Sequence, residues 1–119
     1  MRVTFDTVKK IGLALPGVEE STTYGASSLK VGGQLLTCPA INKSAEPNSI
    51  MVRVPLEQRS EMIAEAPETY YVTDHYVNYP CVLVRLSHIE PDALKDLLRM
   101  SWQFVSTKRT RKKSNRVIR

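Results

Sequence analysis

Four of the five tyrosines and one of the two histidines fall within Tyr70–Leu86, YYVTDHYVNYPCVLVRL, directly beside the most hydrophobic strand-like run of the chain, Cys81–Leu86. A buried tyrosine needs a partner for its hydroxyl, and an exposed one leaves a large apolar ring in water. Either way the segment constrains the fold. It must be a specific corner or a binding surface next to a central strand.

The rest of the chain reads as elements around that strand. Thr4 precedes Phe5, Val8, Ile11 and Leu15 at helical spacing, and Pro16-Gly17 closes this first helix. From Ser28 the period changes to two: Leu29 and Val31 alternate with polar neighbours, Gly32-Gly33 turns, and Leu35–Ala40 returns as a second strand. Ile41–Asn48 is a polar loop, and Ser49–Val54 alternates with Ile50, Val52 and Val54 on one face. Pro55 starts a helix to about Ala66, with Leu56, Ile63 and Ala66 inward and Glu57, Glu61 and Glu65 in an outward, solvated row. Tyr70–Val72 is a short strand, Thr73–Pro80 a turn, and Glu90-Pro91-Asp92 opens the last helix.

These elements predict an α+β fold in the order α-β-β-β-α-β-β-α, with helices on one face of an antiparallel sheet. At 119 residues the chain suits one domain, 1–106, followed by a basic tail, 107–119. The last twelve residues, KRTRKKSNRVIR, hold seven of the seventeen cations and no acid. The body therefore keeps ten cations against twelve acids and is slightly acidic. With only Val117 and Ile118 as large apolar groups, the tail is expected to be disordered in isolation.

No run approaches the roughly 18 apolar residues of a membrane span, and the N-terminus lacks the order of a signal peptide. The expectation is a cytosolic protein without a membrane partner. Cys38 and Cys81 lie in separate apolar runs with no CxxC, and read as buried reduced thiols. Neither they nor His75 and His88 have the short pairings of a zinc site, and no phosphate-binding loop, nucleophile elbow or metalloprotease motif is present. The residues imply no catalytic set, no cofactor and no metal.

Three functional surfaces follow from the pattern. If Val31, Val52 and Val84 face the helices, Lys30, Arg53 and Arg85 share the opposite face, where they either receive phosphates or form an ordinary solvated strand face. Tyr24, His75, Tyr76 and Tyr79 are candidates for a small-ligand site, with a structural corner as the alternative. In the last helix Leu94, Leu97, Leu98, Met100, Trp102, Phe104 and Val105 spread over an arc of about 200°. That helix either wedges between sheet and first helix or offers Met100 and Phe104 to a homodimer contact.

Three stretches, LPGVEE at Leu15–Glu20 with Tyr24-Gly25, LKVGGQLL at Leu29–Leu36, and HYVNYPCVLVRL at His75–Leu86, together resemble the YjbR/MmcQ family of small bacterial proteins. The resemblance covers residues 1–106. It implies a sandwich similar to the frataxin, CyaY-like arrangement. Members are often labelled DNA-binding, and the family brings no catalytic residues to carry over. The first functional expectation is thus a non-enzymatic module associating with DNA or RNA without sequence preference. Its phosphate contacts would come from Lys108, Arg109, Arg111, Lys112, Lys113 and Arg116 of the tail. The alternatives are a homodimeric adapter using the last helix and a small-ligand site at the tyrosine-rich turn.

Overall fold

The structure is a computed structural model that describes the backbone of residues 3–23 and 25–118 and the side chains of 3–23 and 25–106. Its elements are α1 (Phe5–Leu13), β1 (Val18–Thr23), β2 (Ala26–Val31), β3 (Gln34–Pro39), β4 (Ser49–Arg53), α2 (Leu56–Glu65), β5 (Tyr70–Tyr71), β6 (Cys81–Arg85) and α3 (Pro91–Ile118). The six strands form one antiparallel sheet in the order β1-β2-β3-β4-β6-β5. The α+β architecture is as the sequence predicts, with one strand more.

The additional strand is β1. Its sequence, VEESTT, buries only Val18, because β1 is an edge strand with a single neighbour. Period-two alternation is weak in such a strand, and its charged residues suit an edge that must not recruit another chain. Between β2 and β3 the chain reverses through Gly32 and Gly33, both at positive φ (58° and 80°), the backbone that a two-residue hairpin demands.

The helices pack on one face of the sheet. Val8 of α1 and Leu94, Leu97 and Leu98 of α3 meet Ile50, Val52, Val82 and Val84 in one buried cluster. Val105 meets Val18, Leu29, Val31 and Leu36 in a second. The wide apolar arc of α3 is explained by this division of labour along its length. Met100 packs on the first cluster, while Trp102 and Phe104 pack on the second. The Trp102 indole also donates to the Pro16 carbonyl at 2.8 Å, tying α3 to the end of α1.

A bulge between β2 and β3 turns two consecutive residues, Leu36 and Thr37, into buried positions. Thr37 satisfies its hydroxyl by donating to the Met51 carbonyl at 2.7 Å. α1 lies so close to β2 that a Cβ at residue 12 would collide with Leu29, which accounts for Gly12.

Two details depart from the sequence reading. Leu56, placed inward by spacing, is 47% exposed, and Met62 and Ile63 make the contact with the core instead. α3 runs through to Ile118, past residue 106 where the domain was taken to end. No proline or glycine follows Pro91, and Lys and Arg are good helix formers. Tyr24 and the side chains of the six tail cations lie outside the described residues.

Candidate ligand cleft on the helix-free sheet face

The second face of the sheet is not an open strand surface. Cys38, Met51, Cys81 and Leu83 form a third buried cluster there, with Leu35, Ala45, Tyr71 and Tyr76 against it. Two loops cover it, one leading from β3 to β4 (residues 40–48) and the other from β5 to β6 (residues 72–80). Between them and the sheet lies a cleft of about 750 Å³.

Strand register builds the floor. Lys30 is paired with Leu35 across β2 and β3, and Cys38 with Met51 across β3 and β4, and these four side chains line the cleft. Thr23 and Gly33, near opposite ends of β2, also line it, with Pro39, Ile41 and Asn42 on the side of one loop and His75, Tyr76 and Tyr79 on the other. The His75 and Tyr76 rings meet edge-on, their centroids 4.8 Å apart. Burial raises the Tyr76 hydroxyl above the usual phenol range, opposed by a backbone hydrogen bond with Asn42.

Both walls are held by polar contacts that the sequence does not announce. Arg59 of α2 donates to three carbonyls of the tyrosine-rich turn: Val77 at 2.9 Å, Tyr79 at 3.1 Å and Cys81 at 3.1 Å. The other loop is fixed by Arg85, whose guanidinium makes two bonds to the Glu46 carboxylate (2.8 and 2.7 Å). Arg85 also donates to the Pro67 and Glu68 carbonyls and stacks 4.2 Å from the Tyr71 ring. Its guanidinium holds the Glu46 carboxyl below the usual carboxylate range. The Tyr71 hydroxyl accepts from the Glu46 amide at 2.8 Å and shares a proton contact with Ser49 at 2.7 Å. Ser44 and Thr73 join the two loops directly, hydroxyl to hydroxyl, at 2.8 Å.

The four clustered tyrosines therefore divide. Tyr70 packs into the helix-side core, Tyr71 organises the loop network, and Tyr76 and Tyr79 line the cleft. The three sheet cations divide as well. Val31, Val52 and Val84 face the helices, and Lys30, Arg53 and Arg85 lie on the opposite face. Only Lys30 lines the cleft, since Arg85 is engaged by Glu46. Arg53 is 7% exposed, donates to the Pro80 carbonyl, and has its guanidinium 5.0 Å from the Tyr79 ring and 5.7 Å from that of Phe104.

Residue spacing alone missed Leu35, Cys38 and Met51 as floor and Asn42 and Ile41 as wall. A signal was available in Met51 and Leu83, which are apolar at the outward positions of their strands and so require cover on that face.

Burial pushes both thiols up to about 11, in Cys38 and in Cys81 alike. They are protonated at neutral pH and serve as small apolar groups. At pH 8 each native thiol is expected to react with iodoacetamide at least about 100-fold more slowly than in the unfolded chain, because two pKa units remove that much thiolate. Labelling rates with and without denaturant check this, and rapid modification of native Cys38 would contradict it.

No group of three or more His, Cys, Asp and Glu side chains suited to a metal ion occurs among the described residues. Nor, among them, is any helix long and apolar enough to cross a membrane.

Residues 13–104, which carry the whole sheet, match the YjbR family. The chain belongs to the YjbR family. Uncharacterised proteins of Mycobacterium bovis and Mycobacterium tuberculosis are 33% identical to it over 119 residues, covering 88% of this chain and 90% of theirs. The crystal structure of a Deinococcus radiodurans protein with a DUF419 domain superposes with a TM-score of 0.73 at 22% identity, covering 89% of this chain and 80% of that one. That likeness establishes a shared YjbR fold.

Proposed function

We propose that this YjbR chain is a small-molecule binding protein whose ligand occupies the cleft on the helix-free sheet face. One observation carries the reading. Lys30, Cys38 and Met51 from three strands and His75, Tyr76 and Tyr79 from a distant loop converge on one concavity. Its volume of about 750 Å³ falls within the range of ligand sites, roughly 300–1,000 Å³. An apolar floor with a few polar groups at the wall is the composition such sites share. The contacts from Arg59, Arg85 and Tyr71 hold both walls without any ligand, so a ligand would not have to order them. Amide NMR spectra titrated with small aromatic and heteroaromatic compounds test it. Shifts are expected at residues 30, 38, 42 and 75–79. Shifts confined to the outer faces of α1 and α2, or none across the set, would remove the reading.

A second reading rests on charge partition. The seven cations and absence of acids after residue 107 suit sequence-independent association with DNA or RNA. Replacing Lys108, Arg109, Arg111, Lys112, Lys113 and Arg116 by Gln in the full chain is then expected to abolish the salt-dependent binding of a random duplex, read by fluorescence anisotropy. Unchanged binding by that variant would exclude the tail as the contact.

A further inference from the structure

We infer that the ligand class of the cleft is an organic anion with a flat apolar body, its charged group placed at Lys30; this rests on the binding reading above. Among the described lining residues Lys30 is the only lysine or arginine, and no Asp or Glu lines the cleft. The three arginines near this face are already occupied, and Lys43 of the covering loop is exposed and does not line the cleft. Arg85 is held by Glu46, Arg53 by the Pro80 carbonyl and the Tyr79 ring, and Arg59 by three carbonyls.

Lys30 differs from them. It is half-buried, yet its ammonium forms no ion pair or hydrogen bond among the described residues. Glu19 is its register partner across β1 and β2, but the two do not pair. A half-buried cation without an ion pair, on the floor of a cleft whose lining holds no acid among the described residues, favours an anion there, and low-dielectric walls strengthen the attraction.

The rest of the lining specifies the body of the ligand. Ile41 and Tyr79, at the mouth, are 55% and 41% exposed, while Met51 and Leu35 lie on the floor. Apolar surface left on both sides of a slot is covered by a flat apolar group, and tyrosine rings stack on one at little cost in side-chain freedom. His75 and the Tyr76 hydroxyl add hydrogen-bonding groups on one side. An inorganic anion would leave this apolar surface wet, and a neutral aromatic compound would leave Lys30 unmatched.

The test compares anilinonaphthalene sulfonate with its uncharged parent, N-phenylnaphthylamine, by fluorescence on the full chain. Amide shifts at residues 30–42 and 75–79 report the site. The sulfonate is expected to bind about tenfold or more tighter than the parent. Lys30→Met, which keeps the aliphatic stem, is expected to erase that difference by weakening the sulfonate at least about tenfold, and Lys30→Arg to restore most of it. Equal affinities in the wild-type chain, or a sulfonate affinity untouched by Lys30→Met, would overturn the anion assignment while leaving the cleft as a binding site. Failure of both dyes to shift cleft amides would overturn the binding reading as well.

Discussion

Leu98→Ala is expected to lower the unfolding free energy by about 3–4 kcal/mol, the largest effect of any single substitution considered, because it opens a cavity in a core that cannot collapse around it. Leu98 is fully buried in the cluster where α1 and α3 meet β4 and β6. Sheet on one side and helix on the other leave no flexible neighbour to fill the space. For a domain of this size the loss corresponds to a drop in Tm on the order of 15 °C. Leu13→Ala is the control: Leu13 is exposed, and truncation there should change stability by less than about 1 kcal/mol. Urea unfolding of both variants distinguishes them. A loss below about 1 kcal/mol for Leu98→Ala would mean that α3 does not seat on the sheet as described.

Arg59→Ala is expected to have the second largest effect, about 2–3 kcal/mol, with a local signature. The substitution leaves the carbonyls of Val77, Tyr79 and Cys81 without their charged donor. Losing a bond from a charged donor costs more than losing a neutral one, and the part-buried Cys81 carbonyl adds the cost of an acceptor left unpaired, while water reaches those of Val77 and Tyr79. Because the three carbonyls belong to one wall of the cleft, amide hydrogen exchange should accelerate over residues 76–81 well before the sheet opens. Arg59→Lys should recover only part of the stability, since one ammonium does not reproduce the planar fork that spans three acceptors. Uniform loss of protection across the whole sheet, with no excess at 76–81, would contradict a positioning role for Arg59.

Much of the architecture can be read from periodicity. The central strands β3, β4 and β6 and the helices α1 and α3 follow from apolar spacing, because each buries a face or stripe and so repeats at its own period, while α2 is marked by Pro55 at its start and Pro67 beyond its end. β1 does not, because an edge strand with only Val18 buried has little to alternate. Leu56 shows the opposite failure: it has the spacing of a core residue, but α2 touches the core only through Met62 and Ile63.

The cleft was half legible. His75, Tyr76 and Tyr79 stand out as an unusual local concentration, and Lys30 emerges from strand alternation. Their convergence depends on two loops folding over the outer sheet face. That in turn depends on Arg59 and Arg85 finding backbone carbonyls 17 to 22 residues away. Backbone acceptors carry no residue signature, so such clamps are invisible in sequence. The apolar character of Met51, Cys81 and Leu83 on the outer face was the available hint, since strands covered on both sides read as continuous apolar runs.

The most direct measurement is a crystal structure of the full chain soaked with a compound that shifts the amides of residues 75–79. The expected result is density for the compound between Lys30, the Met51 floor and the Tyr76 and Tyr79 rings, with the Arg59 and Arg85 contacts intact. A compound bound on another surface, with the tyrosine-rich loop filling the cleft, would contradict the assignment of this face as the binding site.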